Sequence, residues 1–226
     1  MCSLKEFDVS NVIKKLSEKR PLFHNERDFQ FELALMIKHM YECEIRLEYY
    51  YRTDENNKRC YIDLIAYDNN YCIAFELKYK TKKFKGEAGS ENYDLKEQSA
   101  QDHGCVYVLS DLKRLEALVN DNNPTINKGY VIFITNDTKY TEKGFRQGSM
   151  YENFSLKQGR KIEKNHPLIF NIKKNISETS AKHFEGITFT YSNTYEVNWE
   201  DYNDCSEDAK AYQLVFEIPP KENGVN

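Results

Sequence analysis

Asp63, Glu76 and Lys78 are the residues of this chain whose types and spacing can do chemistry. Asp63 lies inside the apolar run RCYIDLIAY (59–67), and Glu76 and Lys78 lie inside YCIAFELKYK (71–80). Both runs read as β-strands, and in a strand residues two apart share a face. Glu76 and Lys78 therefore project together, with Phe75, Leu77 and Tyr79 pointing the other way. A turn at Asp68, Asn69 and Asn70 pairs the two strands and brings Asp63 beside Glu76. Two carboxylates and one ammonium on a rigid sheet can bind a divalent metal and polarise a water against a phosphodiester. A plainer reading stands next to this one. Asp is depleted in strands and a half-buried carboxylate needs a partner, which Lys78 can supply as a structural ion pair. Glu-x-Lys by itself is common in a chain with 30% charged residues.

The surrounding elements must position these groups. Residues 8–19 read as a short helix ending before Pro21, and 25–40 as a second helix with Asn25 as N-cap. The second helix carries an apolar stripe of Phe29, Leu33, Met36, Ile37 and Met40. Glu26 falls near the centre of that stripe, with Gln30 beside it. It either faces the acidic strands or stabilises the helix dipole. Residues 44–51 alternate Ile45, Leu47, Tyr49 and Tyr51 and read as a strand, followed by a turn at TDENNK. A basic, Gly-containing loop is expected over 81–93 and a long helix over about 94–120. Gln98 and Asp102 fall on its inward side, as site auxiliaries or as a polar shoulder. The continuous apolar run at 129–137 suits a strand buried on both faces and paired in parallel.

Helix–strand–strand–strand–helix–strand predicts an α/β fold with a central mixed β-sheet flanked by helices. Beyond residue 138, a long loop with some helix is expected to about 166. Strand-like runs at 186–192 and 211–219 predict additional C-terminal strands. The organisation expected is a single domain over 1–226, with the core at 22–137 and a C-terminal elaboration at 138–226.

Composition bounds the rest. The 226 residues are 40% hydrophobic and 14% aromatic, enough for one good-sized core. No apolar run is long enough to span a bilayer, and the first ten residues lack a secretory pattern. Six scattered cysteines without short pairing argue for reduced thiols and a cytoplasmic protein. A net charge of −4 argues against bulk nucleic-acid coating and leaves room for a local basic patch. Such a patch is YKTKKFK (79–85), where Lys80, Lys82, Lys83 and Lys85 alternate with Tyr79 and Phe84. It can hold phosphates and stack bases, or be a solvated loop. Lys113 and Arg114 read as exposed helix charges. The five histidines show no metal-ligand spacing, and no phosphate-binding glycine loop is present.

Helix Glu26, strand Asp63, strand Glu76-Leu77-Lys78 and then Gln98 resemble, in that order, the PD-(D/E)XK nuclease superfamily with its restriction-endonuclease-like fold. The resemblance covers about residues 22–137, and Ile62 stands where the motif's name has Pro. The stretches RPLFHNERDFQFELA, ELKYKTKK and LKEQSAQD look like an uncharacterised prokaryotic branch. The resemblance implies Mg²⁺, with Mn²⁺ as a substitute, held by Asp63 and Glu76. Glu26 is then a direct or outer ligand, and the Leu77 carbonyl a further one. It implies that Lys78 orients or helps deprotonate the attacking water and that Gln98 supports it. The activity implied is hydrolysis of phosphodiester bonds, in DNA ahead of RNA, with no membrane partner and a homodimer admissible. The alternatives are a catalytically silent binding module of the same fold and an RNA-directed or defence nuclease.

Overall fold

The computed structural model describes residues 2–53, 59–121, 126–142, 144–171 and 187–220. The turn expected at TDENNK falls mainly outside the described residues. Two helices open the fold. In α1 (Val9–Lys19), Asp8 accepts from Asn11 N at 3.1 Å. In α2 (Glu26–Met40), Asn25 caps by accepting from Asp28 N at 3.0 Å. Each cap satisfies an amide that the helix cannot pair internally. Arg20, just past α1, reaches Asp28 at 2.8 Å and Glu32 at 3.0 Å and fastens the two helices together.

The strands of the first half are β1 (Glu44–Thr53), β2 (Arg59–Tyr67), β3 (Cys72–Lys80), β4 (Phe84–Ala88) and β5 (Glu91–Leu95). Then come α3 (Gln101–Asn120), β6 (Lys128–Thr135) and the short α4 (Lys139–Glu142). The C-terminal part adds β7 (Lys161–Ile162), β8 (Leu168–Ile169), β9 (Thr188–Phe189), β10 (Tyr195–Glu196), β11 (Trp199–Asp201) and β12 (Tyr212–Ile218). Six of these form one mixed sheet in the order β1-β2-β3-β6-β12-β11. The β3–β6 pair is parallel, with Glu76 opposite Val131 and Lys78 opposite Phe133; the other pairs are antiparallel. The fold is therefore α/β, as the element order predicts. No described helix is long and apolar enough to cross a membrane.

Alternation along the strands sorts the core into two layers. Phe75, Leu77 and Tyr79 of β3, with Tyr130, Ile132 and Ile134 of β6, pack with α1 and α2. Ala74, Val131 and Phe133 pack on the opposite face with Leu109, Leu112 and Leu115 of α3. Glu76 and Lys78 share the face of Ala74 and so look toward α3. β6 is buried from Gly129 onward, as its unbroken apolar run requires.

Two expectations need correction. The segment after β3 is not a basic loop over 81–93, because residues 84–95 form the β4–β5 hairpin, turning at Gly89 with φ +62°. Tyr93 and Leu95 are buried and hold the hairpin down. The long helix starts at Gln101 rather than near 94, because Ala100 adopts a left-handed conformation, φ +67° and ψ +53°. The C-terminal part does more than decorate the fold. β12 lies against the whole length of β6, and β11 lies outside it.

Candidate active site

The site is assembled where β2 leaves β3. Their pairing runs through Leu64 opposite Phe75, and one further step puts Asp63 across from Glu76. There Asp63 substitutes its side chain for a ladder bond, Oδ2 accepting from Leu77 N at 2.7 Å. Its carbonyl is taken by Gln30 of α2, whose Nε2 donates at 2.6 Å and also reaches Glu48 Oε1 at 3.1 Å. Glu48, in the neighbouring β1, has φ +48°, and the β1–β2 pairing passes from Leu47–Leu64 to Tyr49–Ile62 around it. Gln30, itself buried, thus ties two strands together beside the positive-φ residue Glu48. Burial raises the Asp63 pKa from its ordinary value, against the pull of the Leu77 amide and Lys78.

Glu76 is 0% exposed. Its Oε2 lies 2.6 Å from Arg114 Nη2, an ion-pair contact outside hydrogen-bond geometry. Its Oε1 has no hydrogen-bond partner among the described residues. Burial, with Asp111 and Asp63 as like charges, holds its pKa well above the ordinary value, while Arg114 and Lys78 oppose that rise.

Lys78 Nζ lies 2.8 Å from Asp111 Oδ2 and donates to the Leu77 carbonyl at 3.2 Å. Burial works to lower its pKa, but Asp111, Glu26 and Asp63 outweigh it and the net shift is upward. Lys78 is therefore a fixed ammonium at neutral pH. Arg114 Nη2 also touches Asp111 Oδ1 at 3.1 Å. Burial opposes the charge of Arg114 too, and Glu76 and Asp111 override it, so its pKa rises. Three carboxylates, on Asp63, Glu76 and Asp111, face two cations, on Lys78 and Arg114.

Glu26 opens α2 and its Oε2 accepts from Tyr79 N at 2.9 Å, close enough to act on Lys78 and Asp63 electrostatically. Gln98 does not stand on a helix. It lies in the exposed link between β5 and α3, exchanging bonds with Thr81: Oε1 accepts from Thr81 N at 3.2 Å and the Gln98 backbone N–H donates to the Thr81 carbonyl at 2.8 Å. It braces the end of β3 and makes no described hydrogen bond to Lys78. Asp102 is half-buried and accepts from His103 N at 2.9 Å.

Of the lysines, Lys80 is half-buried at the end of β3, on the face of Glu76 and Lys78. Lys82, Lys83 and Lys85 are exposed and line a cleft of about 700 Å³ at the carboxyl ends of β3 and β6. Glu87, Glu142, Glu207 and Asp208 line it too, so the cleft is mixed in charge.

Sequence reasoning missed Asp111, Arg114 and the bridging role of Gln30. Arg114 is not an exposed helix charge, since it reaches the buried Glu76. The signal for Asp111 was present. It stands three residues after Val108 and four before Leu115, both buried, which puts a carboxylate on the inward face of α3.

As the side chains stand, no group of three or more Asp, Glu, His or Cys among the described residues converges to hold a metal ion. The donor chemistry still suits Mg²⁺, which takes one or two carboxylates and keeps several waters. Asp63 and Glu76 supply those two carboxylates, Glu76 Oε1 is open, and the cluster carries excess negative charge. The Leu77 carbonyl is engaged by Lys78. No protein-family model, no curated protein and no solved structure matches the chain.

Proposed function

We propose that the chain is a metal-dependent nuclease of the PD-(D/E)XK type that hydrolyses phosphodiester bonds, with DNA as the favoured substrate. The observation that carries this reading is Glu76: a wholly buried carboxylate with an open oxygen, beside Asp63 and on the face of Lys78. Leaving a buried charge without a full set of partners is costly, and it is tolerated where a ligand completes the set.

Asp63 and Glu76 would hold the ion, with Glu26 as an outer partner. A bound Mg²⁺ supplies charge neutralisation at the phosphate and a water of lowered pKa. Lys78, kept protonated by Asp111, orients the attacking water and stabilises charge growing on the phosphate oxygens. It is a donor and not a base.

A second reading draws on the Arg114–Glu76 and Lys78–Asp111 contacts, at 2.6 and 2.8 Å. They can form a closed structural network in a catalytically silent binding module. One experiment separates the two. The protein is incubated with supercoiled plasmid, linear duplex, single-stranded DNA and RNA, with Mg²⁺ or Mn²⁺. Cleavage that disappears in Asp63→Ala, Glu76→Ala and Lys78→Ala, with circular dichroism unchanged, supports the nuclease. Undiminished cleavage in those variants, or none by the wild type, overturns it. The RNA arm tests the RNA-directed alternative.

A further inference from the structure

Arg114 holds the place beside Glu76 that the proposed metal ion would take. Its Nη2 stands 2.6 Å from Glu76 Oε2, inside a pocket that buries the carboxylate completely. The same nitrogen touches Asp111 Oδ1 at 3.1 Å, and Arg114 Nε is buried without a hydrogen-bond partner among the described residues. The guanidinium is thus held by one hydrogen bond to Asp111 and by charge at Glu76, not by the bidentate fork that makes Arg–carboxylate pairs strong. Its side chain is 37% exposed, whereas Lys78 is 18% and Asp111 13% exposed. Among these groups Arg114 has the freest path to solvent. Glu76 has no such path, since its side chain is 0% exposed.

From this we infer that Arg114 is a displaceable counter-cation of Glu76. In the metal-free protein it neutralises the buried carboxylate. A divalent ion entering at Asp63 and Glu76 drives it off, and Asp111, one helical turn away on α3, keeps the released guanidinium at the mouth of the site. There it is placed to meet a phosphate oxygen, for which a tethered guanidinium is suited. Arg114 is then a positioning residue that couples metal entry to substrate binding. This rests on the metal-dependent reading above.

Displacement has a thermodynamic signature independent of turnover. A ligand that must first open its site binds more weakly by the fraction of the time the site is open. Removing the competing cation should tighten metal binding. Mn²⁺ affinity is measured by electron paramagnetic resonance of the free ion, without nucleic acid, for wild type, Arg114→Gln and Arg114→Lys. Arg114→Gln is expected to bind Mn²⁺ about tenfold more tightly, within the usual range of site-to-site coupling. Arg114→Lys, retaining the charge, stays near wild type. Equal affinity in wild type and Arg114→Gln overturns the inference while leaving the nuclease reading intact. No Mn²⁺ binding by either removes both.

A measurement on the unaltered protein guards against a variant that does not fold. In a Mg²⁺ titration followed by NMR, the Arg114 Nε resonance should shift in step with the Glu76 side-chain carboxyl carbon. A Glu76 shift with Arg114 unmoved overturns the displacement. Neither moving tells against the metal site itself.

Discussion

Asp111 Oδ2 stands 2.8 Å from Lys78 Nζ, and the other oxygen of the same carboxylate stands 3.1 Å from Arg114 Nη2. One residue on α3 therefore sets the place of both cations in the site. Asp111→Asn keeps the shape and removes the charge. We expect a loss of roughly 100-fold in cleavage rate, the scale of a small misplacement at a reacting centre. We also expect about 3 kcal/mol of lost stability, as for breaking a buried pair. Parallel turnover and urea-unfolding measurements check this, and a variant that matches wild type in both refutes the assignment.

Stability should depend on pH in an unusual direction. Burial raises the folded-state pKa values of Glu76 and Asp63. Above the ordinary carboxylate value of about 4, the folded state then binds more protons than the unfolded chain. These two groups contribute stability that is fully present below that value and is lost as pH rises through their raised pKa values. Thermal melts of the metal-free protein from pH 4 upward (~4 being the ordinary carboxylate value) should show this loss, and Glu76→Gln should flatten it. Mg²⁺, which needs the ionised carboxylates, should restore stability at the upper end. A Glu76→Gln profile parallel to wild type removes Glu76 as the source.

Gln30 tests whether Asp63 is positioned from behind. Its amide is bonded to the Asp63 carbonyl at 2.6 Å and to Glu48 at 3.1 Å. Gln30→Leu strands that carbonyl, at a cost of about 1–3 kcal/mol. The cleavage rate should fall although no proposed metal ligand is touched. Stability lost without any change in kcat confines Gln30 to a purely structural role.

Lys82, Lys83 and Lys85 are exposed at the cleft, so their removal should leave folding unaltered. For a duplex DNA ligand, the slope of log affinity against log salt should fall by about 0.9 for each phosphate that a lysine no longer neutralises. Binding titrations of the triple alanine variant at several salt concentrations give this number. An unchanged slope places the nucleic acid elsewhere.

The sheet and its site were legible in the sequence to different depths. Residues 59–67 and 71–80 alternate and share a short turn, so period-two reasoning could place Asp63 against Glu76. The apolar run of β6 announced a strand buried on both faces in the same way. Gln98 went astray because the helical spacing of Leu95, Gln98 and Asp102 is also compatible with a hairpin followed by a link. The left-handed backbone at Ala100 that separates the two has no mark in residue type. Arg114 was misread because a cation on a helix usually faces water, and only the α3–β3 packing shows a buried acid beneath it. Glu116, on the same helix, is 1% exposed and accepts from Ser192 N, Asn193 N and the Tyr195 hydroxyl. Its partners lie far along the chain, so no local pattern could announce it.

The place of β12 between β6 and β11 bears on how this protein is made. As the chain leaves the ribosome, β6 can close onto β3 early, but its other edge stays bare until β12 arrives. A bare edge on an apolar strand invites pairing with a neighbouring nascent chain. Residues 22–137, which carry every member of the proposed catalytic set, are for that reason not a portable module. Expressed alone, they are expected to leave β6 half-paired and to self-associate, and the sheet that aligns Asp63, Glu76 and Lys78 is finished only once β12 has been made.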